Sequence, residues 1–284
     1  MKKSVFALLI FTCLICSGCS FGLNEIFGHD ENLNSRCSSI KHLTGEEVDE
    51  IPLTGNFNFV IFTDIHFGHP SFQRRETDFL NWLDSVQSNP DKKPSFCVSL
   101  GDNTDSGKPE EYDQYVAFTN QIKVHAGIKT YSVAGNHDLY NSGWKYYKEK
   151  VFPYTSFYKF STEEFSFYFI DSASGSLGLN QYNSLCDGFS KDNKNKLLFS
   201  HFPLTTEGDF YFRMQNLTER NRLLALMSVS RVKNFFSGHT HMTRFTDFGA
   251  FEDTNFSSIS KSGKWLLVHV NQTQKKVTYE VIQK

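Results

Sequence analysis

Five short stretches of the chain end in side chains that can bind metal ions or transfer protons. Each begins as an apolar, β-rich run and then turns polar, as in FVIFTDIH and YSVAGNHDLY. The side chains at these ends are those of Asp64, His66, Asp102, Asn136, His137, His201, His239 and His241. Imidazole and carboxylate ligands suit Mn, Fe or Zn, and no cysteine at these ends would restrict them to a closed structural zinc site. These residues therefore predict a metal centre that is available for chemistry.

The position of these residues at strand ends predicts that they meet. In open α/β sheets, binding sites lie at the carboxyl ends of the strands, so five such ends could converge on one crevice. Alternation along an extended chain sends His239 and His241 to the same side. Gly101, Gly135 and Gly238, each next to a candidate ligand, are expected to permit turns or a close approach of the backbone. A lone histidine is more often structural than ligating, but five histidines in such positions weaken that alternative.

The chain from residue 56 onward alternates between strand and helix patterns. Predicted strands are separated by predicted helices, and this repetition predicts a parallel sheet. The strands are Asn56–Thr63, Ser95–Leu100 and Lys129–Ala134, and the helices are Ser71–Gln87 and Pro109–Ala126.

The second half of the chain changes to aromatic-rich strands. The runs Ser156–Phe160 and Phe165–Ile170 predict a hairpin in a second layer. Asn216–Ser230 is the last predicted helix, and the remainder, including Phe256–Ser260, is predicted as strands. The predicted fold class is α/β, a four-layer α/β/β/α sandwich of two mixed β-sheets flanked by helices. We expect it to form one domain over residues 56–284.

The order of the motifs carries a resemblance to a known family. Asp-x-His, Gly-Asp, Gly-Asn-His-Asp, His and Gly-His-x-His follow one another over about residues 57 to 245. In this the chain resembles the calcineurin-like metallophosphoesterases. The resemblance implies two divalent or mixed-valence metal ions, Mn, Fe or Zn. It assigns one metal to Asp64, His66, Asp102 and His241. It assigns the other to Asp102, Asn136, His201 and His239, so that Asp102 would bridge the two.

The resemblance gives His137 a different role, as the acid that protonates the leaving oxygen. In the related Ser/Thr phosphatases the Gly-Asp motif continues to a second Asp that hydrogen-bonds this histidine, and Asp105 keeps that spacing here. A carboxylate partner would fix the tautomer of His137 and raise its proton affinity. For Asp105 the alternative is an ordinary turn residue before Gly107. Asp138 is expected to support the site without binding metal.

An arginine that grips the phosphate follows the second Asp in those phosphatases, whereas this chain has Ser106 there. A serine cannot replace that charge. Arg74, Arg75 and Arg244 are the candidates that could reach the site, and for each of them a solvated surface position is the alternative.

The activity that the resemblance implies is two-metal-dependent hydrolysis of phosphoester bonds by a metal-bridging hydroxide. We expect a small phosphoester substrate, and the sequence leaves open whether it is a phosphodiester or a phosphomonoester. The competing hypothesis is a noncatalytic surface lipoprotein that keeps the fold for binding.

The N-terminus has the features of an export signal. Two lysines precede an apolar segment that is too short to span a bilayer by itself. Residues 17–19 resemble the lipobox of bacterial lipoproteins, whose cysteine is acylated, although Cys16 stands where that motif usually has Leu. We expect a signal peptide over residues 1–18, a tether and lead-in over 19–55, and anchoring of the exported protein to a membrane of the cell envelope through Cys19. A secreted or periplasmic protein is the alternative.

Charge and cysteine content bear on the remaining partners. The formal net charge of −2 gives no basic field that would hold a polyanion, so stable nucleic-acid binding is not expected. Cys97 lies in an apolar strand and predicts a buried thiol, whereas export would allow a disulfide between Cys37 and Cys186. The sequence leaves the oligomeric state open.

Overall fold

The computed structural model describes residues 32–206 and 212–284, and its first half alternates between strands and helices. The elements of this half are α1 (Leu33–Arg36), β1 (Lys41–His42), β2 (Phe57–Phe62), α2 (Gln73–Val86), β3 (Pro94–Ser99), α3 (Pro109–Ala126), β4 (Thr130–Ser132) and α4 (Trp144–Lys150). Two 3₁₀ segments, Gly45–Glu47 and His137–Ser142, lie between them. Helix α3 has the predicted bounds, because Pro109 fits its first position and Gly127 ends it in a left-handed conformation.

The second half is richer in strands. Its elements are β5 (Tyr158–Ser161), β6 (Phe165–Phe169), α5 (Leu179–Lys191), β7 (Asn195–Phe199), α6 (Leu217–Val229), β8 (Val232–Ser237), β9 (Arg244–Asp247), β10 (Glu252–Asn255), α7 (Ile259–Ser262), β11 (Lys264–Asn271) and β12 (Lys276–Gln283). Strands β5 and β6 form the antiparallel pair predicted from the two aromatic runs.

The strands form two mixed sheets. A seven-stranded sheet has the order β1-β5-β6-β7-β8-β10-β9, and a five-stranded sheet has the order β12-β11-β2-β3-β4. Strands β2, β3 and β4 are parallel, as are β6, β7, β8 and β10. Parallel strands bring their carboxyl ends to the same edge of a sheet, so the turns after β2, β3, β4, β7 and β8 can meet there.

Three apolar clusters define the layers. Helices α2, α3 and α4 cover one face of the five-stranded sheet, and helices α5 and α6 cover one face of the seven-stranded sheet. The other two faces meet in a core of aromatic and aliphatic residues. The predicted four-layer sandwich of two mixed sheets flanked by helices is therefore confirmed.

The core between the sheets is built largely from phenylalanine. The rings of Phe59 and Phe96 stack with centroids 4.8 Å apart, and those of Phe160 and Phe167 stack at 4.7 Å. All four side chains are almost completely buried. Burying each contributes about 1.5–3 kcal/mol, and a favourable ring pair adds about 0.5–1.5 kcal/mol. Most of the strand aromatics are thus explained by packing.

The segment before β2, predicted as a lead-in, contributes to the fold. Strand β1 pairs in parallel with β5 at the edge of the seven-stranded sheet. Arg36, at the end of α1, donates from Nε and Nη2 to the carboxylate of Asp171, at 3.0 and 3.2 Å, and both side chains are buried. The ordered structure therefore includes residues well before Phe57.

One local prediction needs correction, and one helix was missed. Phe256–Ser260 is not a strand: the strand is Glu252–Asn255, and Ser258 caps helix α7 by accepting from the Lys261 amide. The polar strand is held by pairing with a neighbour on each side, which its composition does not reveal. Helix α4 was not predicted.

The described cysteines and helices bear on the remaining expectations. Cys37 and Cys97 are buried, and Cys186 is partly exposed; all three are free thiols, so the possible disulfide between Cys37 and Cys186 is absent. Within residues 32–206 and 212–284, no helix is long and apolar enough to cross a membrane. The predicted signal peptide, Cys19 and the first part of the predicted tether lie outside the described residues.

Candidate metal centre

The turns at the carboxyl ends of the parallel strands bring the predicted ligands together. Three overlapping groups of His and carboxylate side chains have ligand atoms that all lie within 4.8 Å of one another. The groups are Asp64, His66 and His241; His66, Asp102 and His137; and Asp102, His201 and His239. Asn136 joins the third group, with its Oδ1 atom 3.1 Å from Nε2 of His201. All eight side chains that were singled out at the strand ends therefore converge.

The spacing of these atoms suits metal ions. The Nε2 atoms of His66 and His241 lie 3.2 Å apart, Nε2 of His241 lies 3.3 Å from Oδ1 of Asp64, and Nε2 of His201 lies 3.3 Å from Oδ2 of Asp102. Bonds of about 2.0–2.2 Å to one cation hold neighbouring ligand atoms about 3.0–3.5 Å apart. Oδ1 of Asp64 is buried and accepts no hydrogen bond from the described residues, which leaves a lone pair for a cation.

The backbone of the ligands is held in an unusual conformation. Five of the seven candidate ligands have positive φ angles: Asp64 (55°), His66 (56°), Asp102 (50°), His239 (71°) and His241 (58°). Non-glycine residues rarely adopt this left-handed region, and each costs on the order of 1–3 kcal/mol. Such strain persists where surrounding contacts impose it, and it commonly clusters at functional sites. The contacts around these turns therefore aim the side chains at the crevice.

Two glycines allow the turns to approach each other. A Cβ atom on Gly135 would overlap the backbone nitrogen and the carboxylate of Asp102. A Cβ atom on Gly238 would overlap the hydroxyl of Thr63 and crowd the carboxylate of Asp64. The expectation that these glycines permit a close approach is confirmed, and the approach is to the ligand residues themselves.

His201 is the most buried of the candidate histidine ligands. Its ring is buried, and Nδ1 donates to the carbonyl oxygen of Leu100 at 2.9 Å, so Nε2 faces Asp102 and Asn136. Its backbone amide donates to the Ser172 hydroxyl. A metal-ligating histidine commonly has such a second partner, which sets the orientation of the ring. Ser172 was not predicted, because nothing in the sequence around it marks it.

The charges of the site favour a cation. Burial opposes ionisation of Asp102, but His201 and the neighbouring imidazoles hold the pKa of its carboxyl well below the usual range. Burial by itself would lower the pKa of His201, yet Asp102 raises it to about 9. Burial and the positive charge of His201 lower the pKa of His239 to about 4. Two buried carboxylates thus stabilise positive charge in the crevice, and a metal ion would supply that charge.

His137 lies at the rim of the site, and its partner differs from the one predicted. Nδ1 of His137 donates a hydrogen bond to the backbone carbonyl oxygen of Asp105 at 2.6 Å. The Asp105 carboxylate instead lies 3.4 Å from Nδ1 of His66. The amide of Asp105 is bonded to the Phe67 carbonyl, and this turn directs the carboxylate towards His66 and solvent. The predicted contact between the Asp105 carboxylate and His137 is therefore corrected to a backbone contact.

Asp138 connects the turns and belongs to none of the three ligand groups. Its buried carboxylate accepts from the amides of Asn103, Thr104 and Gly135 and from the side chains of Asn103 and Thr104. Burial and the charge of Asp102 raise the pKa of Asp138 to about 6. With these bonds the carboxylate joins the turn after β3 to the turn after β4, which agrees with the expectation that it supports the site without binding metal.

Tyr140 and Phe202 are further supports that the sequence analysis missed. The amide Nδ2 of Asn136 donates to the Tyr140 hydroxyl at 3.2 Å, which turns Oδ1 towards His201, and the Tyr140 ring packs against His137 with centroids 4.7 Å apart. The Phe202 ring stacks on His239 at 3.9 Å. Tyr140 lies three residues after His137 and Phe202 directly follows His201, so adjacency to the motifs was the available signal.

The three candidate arginines have different positions. Nη1 of Arg75 lies 3.1 Å from the backbone oxygen of Lys284 and 3.6 Å from the carboxylate of Asp78. The side chain of Arg74 lies outside the described structure. Arg244, at the start of β9, lines a small pocket together with Thr240.

Comparisons with known proteins agree with this geometry. A family model described as calcineurin-like phosphoesterase matches residues 57–243. A relative from Fibrobacter succinogenes, described as a probable cyclic nucleotide phosphodiesterase, is 27% identical over 186 residues, which cover 63% of this chain and 70% of the relative.

Two solved structures share the fold. A dimetal phosphatase from Danio rerio is 12% identical with a TM-score of 0.59, covering 80% of this chain and 99% of that chain. GAP50, the anchor in the inner membrane complex of Plasmodium, is 13% identical with a TM-score of 0.61. The match covers 81% of this chain and 85% of that chain. At these identities the likeness establishes the fold alone. Because the family model covers well over half of its length, the chain belongs to the calcineurin-like phosphoesterases.

Proposed function

We propose that this phosphoesterase is a two-metal phosphodiesterase that acts on small phosphodiesters, with cyclic nucleotides as the first candidates. The observation that carries the proposal is the convergence of three overlapping His and carboxylate groups on one crevice, with His137 at its rim. One ion would be held by Asp64, His66, Asp102 and His241. The other would be held by Asp102, Asn136, His201 and His239. Two bound cations would supply a water of lowered pKa and neutralise charge on the phosphoryl oxygens.

His137 is suited to protonate the leaving oxygen. Because Nδ1 donates to the Asp105 carbonyl, Nε2 is the nitrogen left to face a substrate. The backbone amide of His137 donates to Oδ1 of Asp102 at 2.9 Å, which ties the acid to the carboxylate proposed to bridge the metals. General acid catalysis of this kind contributes about 10²–10⁴ in rate. The backbone carbonyl of Asp105 would act as the positioning group.

The preference for diesters is supported by the relative from Fibrobacter succinogenes, whose description names cyclic nucleotides. Phosphomonoesters share the same chemistry and are the natural comparison. The noncatalytic alternative has the fold in common with GAP50, which is described as an anchor. The complete set of converging ligands favours catalysis over that alternative, because a binding role alone does not require them.

One assay tests the proposal. The purified protein is loaded with Mn, Fe or Zn, its metal content is measured, and turnover is followed on a cyclic nucleotide, a linear diester and a monoester. We expect two equivalents of metal per chain and faster hydrolysis of the two diesters than of the monoester. A chelator should remove the metal and abolish the hydrolysis. Metal binding without turnover of any ester would support the noncatalytic alternative, and faster monoester hydrolysis would make the protein a phosphatase.

We also propose that the domain is tethered to a membrane through lipidated Cys19. The support is the likeness of residues 17–19 to a lipobox after a short apolar segment. Acyl chains contribute about 0.8 kcal/mol per buried methylene, so a multiply acylated cysteine should hold the protein firmly. Wild type should partition into detergent, and Cys19→Ala should remain an uncleaved or mislocalised precursor. Recovery of wild type in the soluble fraction with another N-terminal residue would contradict this.

A further inference from the structure

A small pocket lies directly beside the candidate metal centre. Its volume is about 150 Å³, and it is lined by Thr205, Thr206, Thr240, Met242, Thr243, Arg244 and Asn255. Thr240, which lines the pocket, stands between the candidate ligands His239 and His241. Its Cα atom is therefore about 3.8 Å from the Cα atom of each of them. None of the seven candidate ligands lines it. A group bound here would therefore be a part of the substrate other than the phosphoryl group on the metals.

The polar character of this pocket comes from one guanidinium and several hydroxyl groups. Arg244 donates from Nε to Thr246 at 3.0 Å and from Nη2 to Thr205. Pairing of Arg244 with Asn255 across β9 and β10 fixes the backbone from which it extends. Of its five N–H donors, these two bonds use two, and both go to uncharged hydroxyls. Within the described part of the chain, the guanidinium thus keeps unused N–H donors for a ligand.

Among the described residues, the side-chain hydrogen bonds of Arg244 go to uncharged hydroxyls, and one buried carboxyl lies close enough to interact with its charge. That carboxyl belongs to Asp253: burial raises its pKa to about 7, and the charge of Arg244 opposes the rise. Oδ1 of Asp253 has no hydrogen-bond partner among the described residues, so the two side chains are not joined in the paired geometry that arginine and carboxylate normally adopt. The other polar residues that line the pocket within the described ranges are neutral threonines and Asn255.

The pocket is matched to a compact oxyanion. A volume of about 150 Å³ corresponds to roughly five water molecules at about 30 Å³ each, which is room for a phosphate or carboxylate group. A planar guanidinium binds such groups through two parallel hydrogen bonds. Met242 provides a flexible apolar wall that is half exposed at the opening.

We propose that the pocket lined by Arg244, Thr205 and Thr240 binds a second anionic group on the substrate, a phosphate or carboxylate on the organic part of the scissile ester. This proposal rests on the proposed phosphodiesterase function and narrows it to substrates that carry an additional charge. Arg244 would then be a specificity-determining residue, while the metals and His137 would act on any ester that fits.

The test uses two substrates with the same leaving group. One is the 5′-(4-nitrophenyl phosphate) diester of thymidine, and the other is the same diester with a 3′-phosphate. Wild type should favour the second by about 10- to 100-fold in kcat/KM, and this ratio should fall as ionic strength rises, because a partly exposed charge pair is screened. Arg244→Gln should bring the ratio close to one. Arg244→Lys should retain part of the preference, since lysine keeps the positive charge but cannot form the two parallel hydrogen bonds of a guanidinium.

A matched control removes a positive charge elsewhere. Arg222 is exposed on helix α6, and Arg222→Gln should keep the wild-type ratio. Equal melting temperatures of the variants exclude misfolding, and replacing the 3′-phosphate by a carboxymethyl group distinguishes a phosphate preference from a general anion preference. A wild-type ratio near one, or an unchanged ratio in Arg244→Gln, would overturn the proposal. Failure to hydrolyse either diester would instead overturn the proposed phosphodiesterase function.

Discussion

The ligand-bearing turns and the aromatic core between the sheets hold their residues in different ways. In the core, the Phe167 ring contacts five other phenylalanine rings with centroids 4.7–6.2 Å away. In the turns, Asp64 and Asp102 keep left-handed backbones, and each is aimed by a few specific contacts. Packing in the core is shared among many partners, whereas each ligand is placed individually. Stability and metal chemistry should therefore respond to different substitutions.

The largest effect is expected at the carboxylate shared by two of the ligand groups. Asp102→Ala removes that carboxylate, so both metals and turnover should fall to background while the metal-free protein still folds. Elemental analysis of metal per chain and a melting curve in chelator measure the two properties. Asp102→Asn is the matched control for backbone strain, because asparagine tolerates the left-handed conformation of this residue and keeps one oxygen that can bind metal. Retention of both metals in Asp102→Ala would remove the basis of the two-metal proposal.

The second prediction concerns proton transfer at the rim of the site. His137→Ala should keep both metals and lose about 10²–10⁴ in turnover on an alkyl or nucleoside ester, equivalent to about 2.7–5.4 kcal/mol. The loss should be small on a nitrophenyl ester of the same phosphate, because nitrophenolate departs without a proton. Asp105→Asn should not reproduce this selectivity, because the backbone carbonyl that bonds His137 remains. Equal losses on both leaving groups would show that His137 is not the acid.

The third prediction concerns a substitution in the aromatic core, which should affect stability and leave the site intact. Phe167→Ala should lower the free energy of unfolding by about 3–5 kcal/mol, because it leaves a cavity among the surrounding rings. The folded protein should keep its metal content, since β6 contributes no candidate ligand within its bounds. Urea unfolding and metal analysis check the two parts, with Phe167→Leu as a milder control of about 1–2 kcal/mol. Loss of metal from folded Phe167→Ala would show that core and site are coupled.

The smallest effect concerns a carboxyl that is buried without the pairing found in the turns. Burial raises the pKa of Asp253 to about 7, above its ordinary value of about 3.9. Between these values the folded state binds more protons than the unfolded state, so the free energy of unfolding falls as pH rises from about 4 to 7. The change is a few kcal/mol at most.

The Asp253→Asn variant should lose this part of the pH dependence and gain stability relative to wild type above pH 7, because its amide stays neutral. Urea unfolding at pH 5 and pH 8 measures the difference. The same decline in both proteins would assign it to other groups.

The sequence predicted which strand-end side chains converge, because their chemistry and their spacing are both visible in the chain. It predicted helix α3 because Pro109 and Gly127 mark its ends. It missed strand β10, since Glu252–Asn255 is polar and becomes buried only through neighbours that are distant in sequence. The partner of His137 was assigned to the wrong atom of Asp105, because the backbone carbonyl of a turn carries no sequence signal. Contacts between side chains and backbone are therefore the least predictable part of the site.

The buried pair between Arg36 and Asp171 has a mechanical consequence. Tension that enters the described chain at residue 32 would pass into α1, whose last residue is joined to Asp171 by two hydrogen bonds. The hydroxyl of the next residue, Ser172, accepts hydrogen bonds from the backbone amides of His201 and Phe202. A pull at residue 32 would therefore reach the backbone of His201 through two sets of hydrogen bonds, those of Arg36 with Asp171 and those of Ser172 with His201 and Phe202.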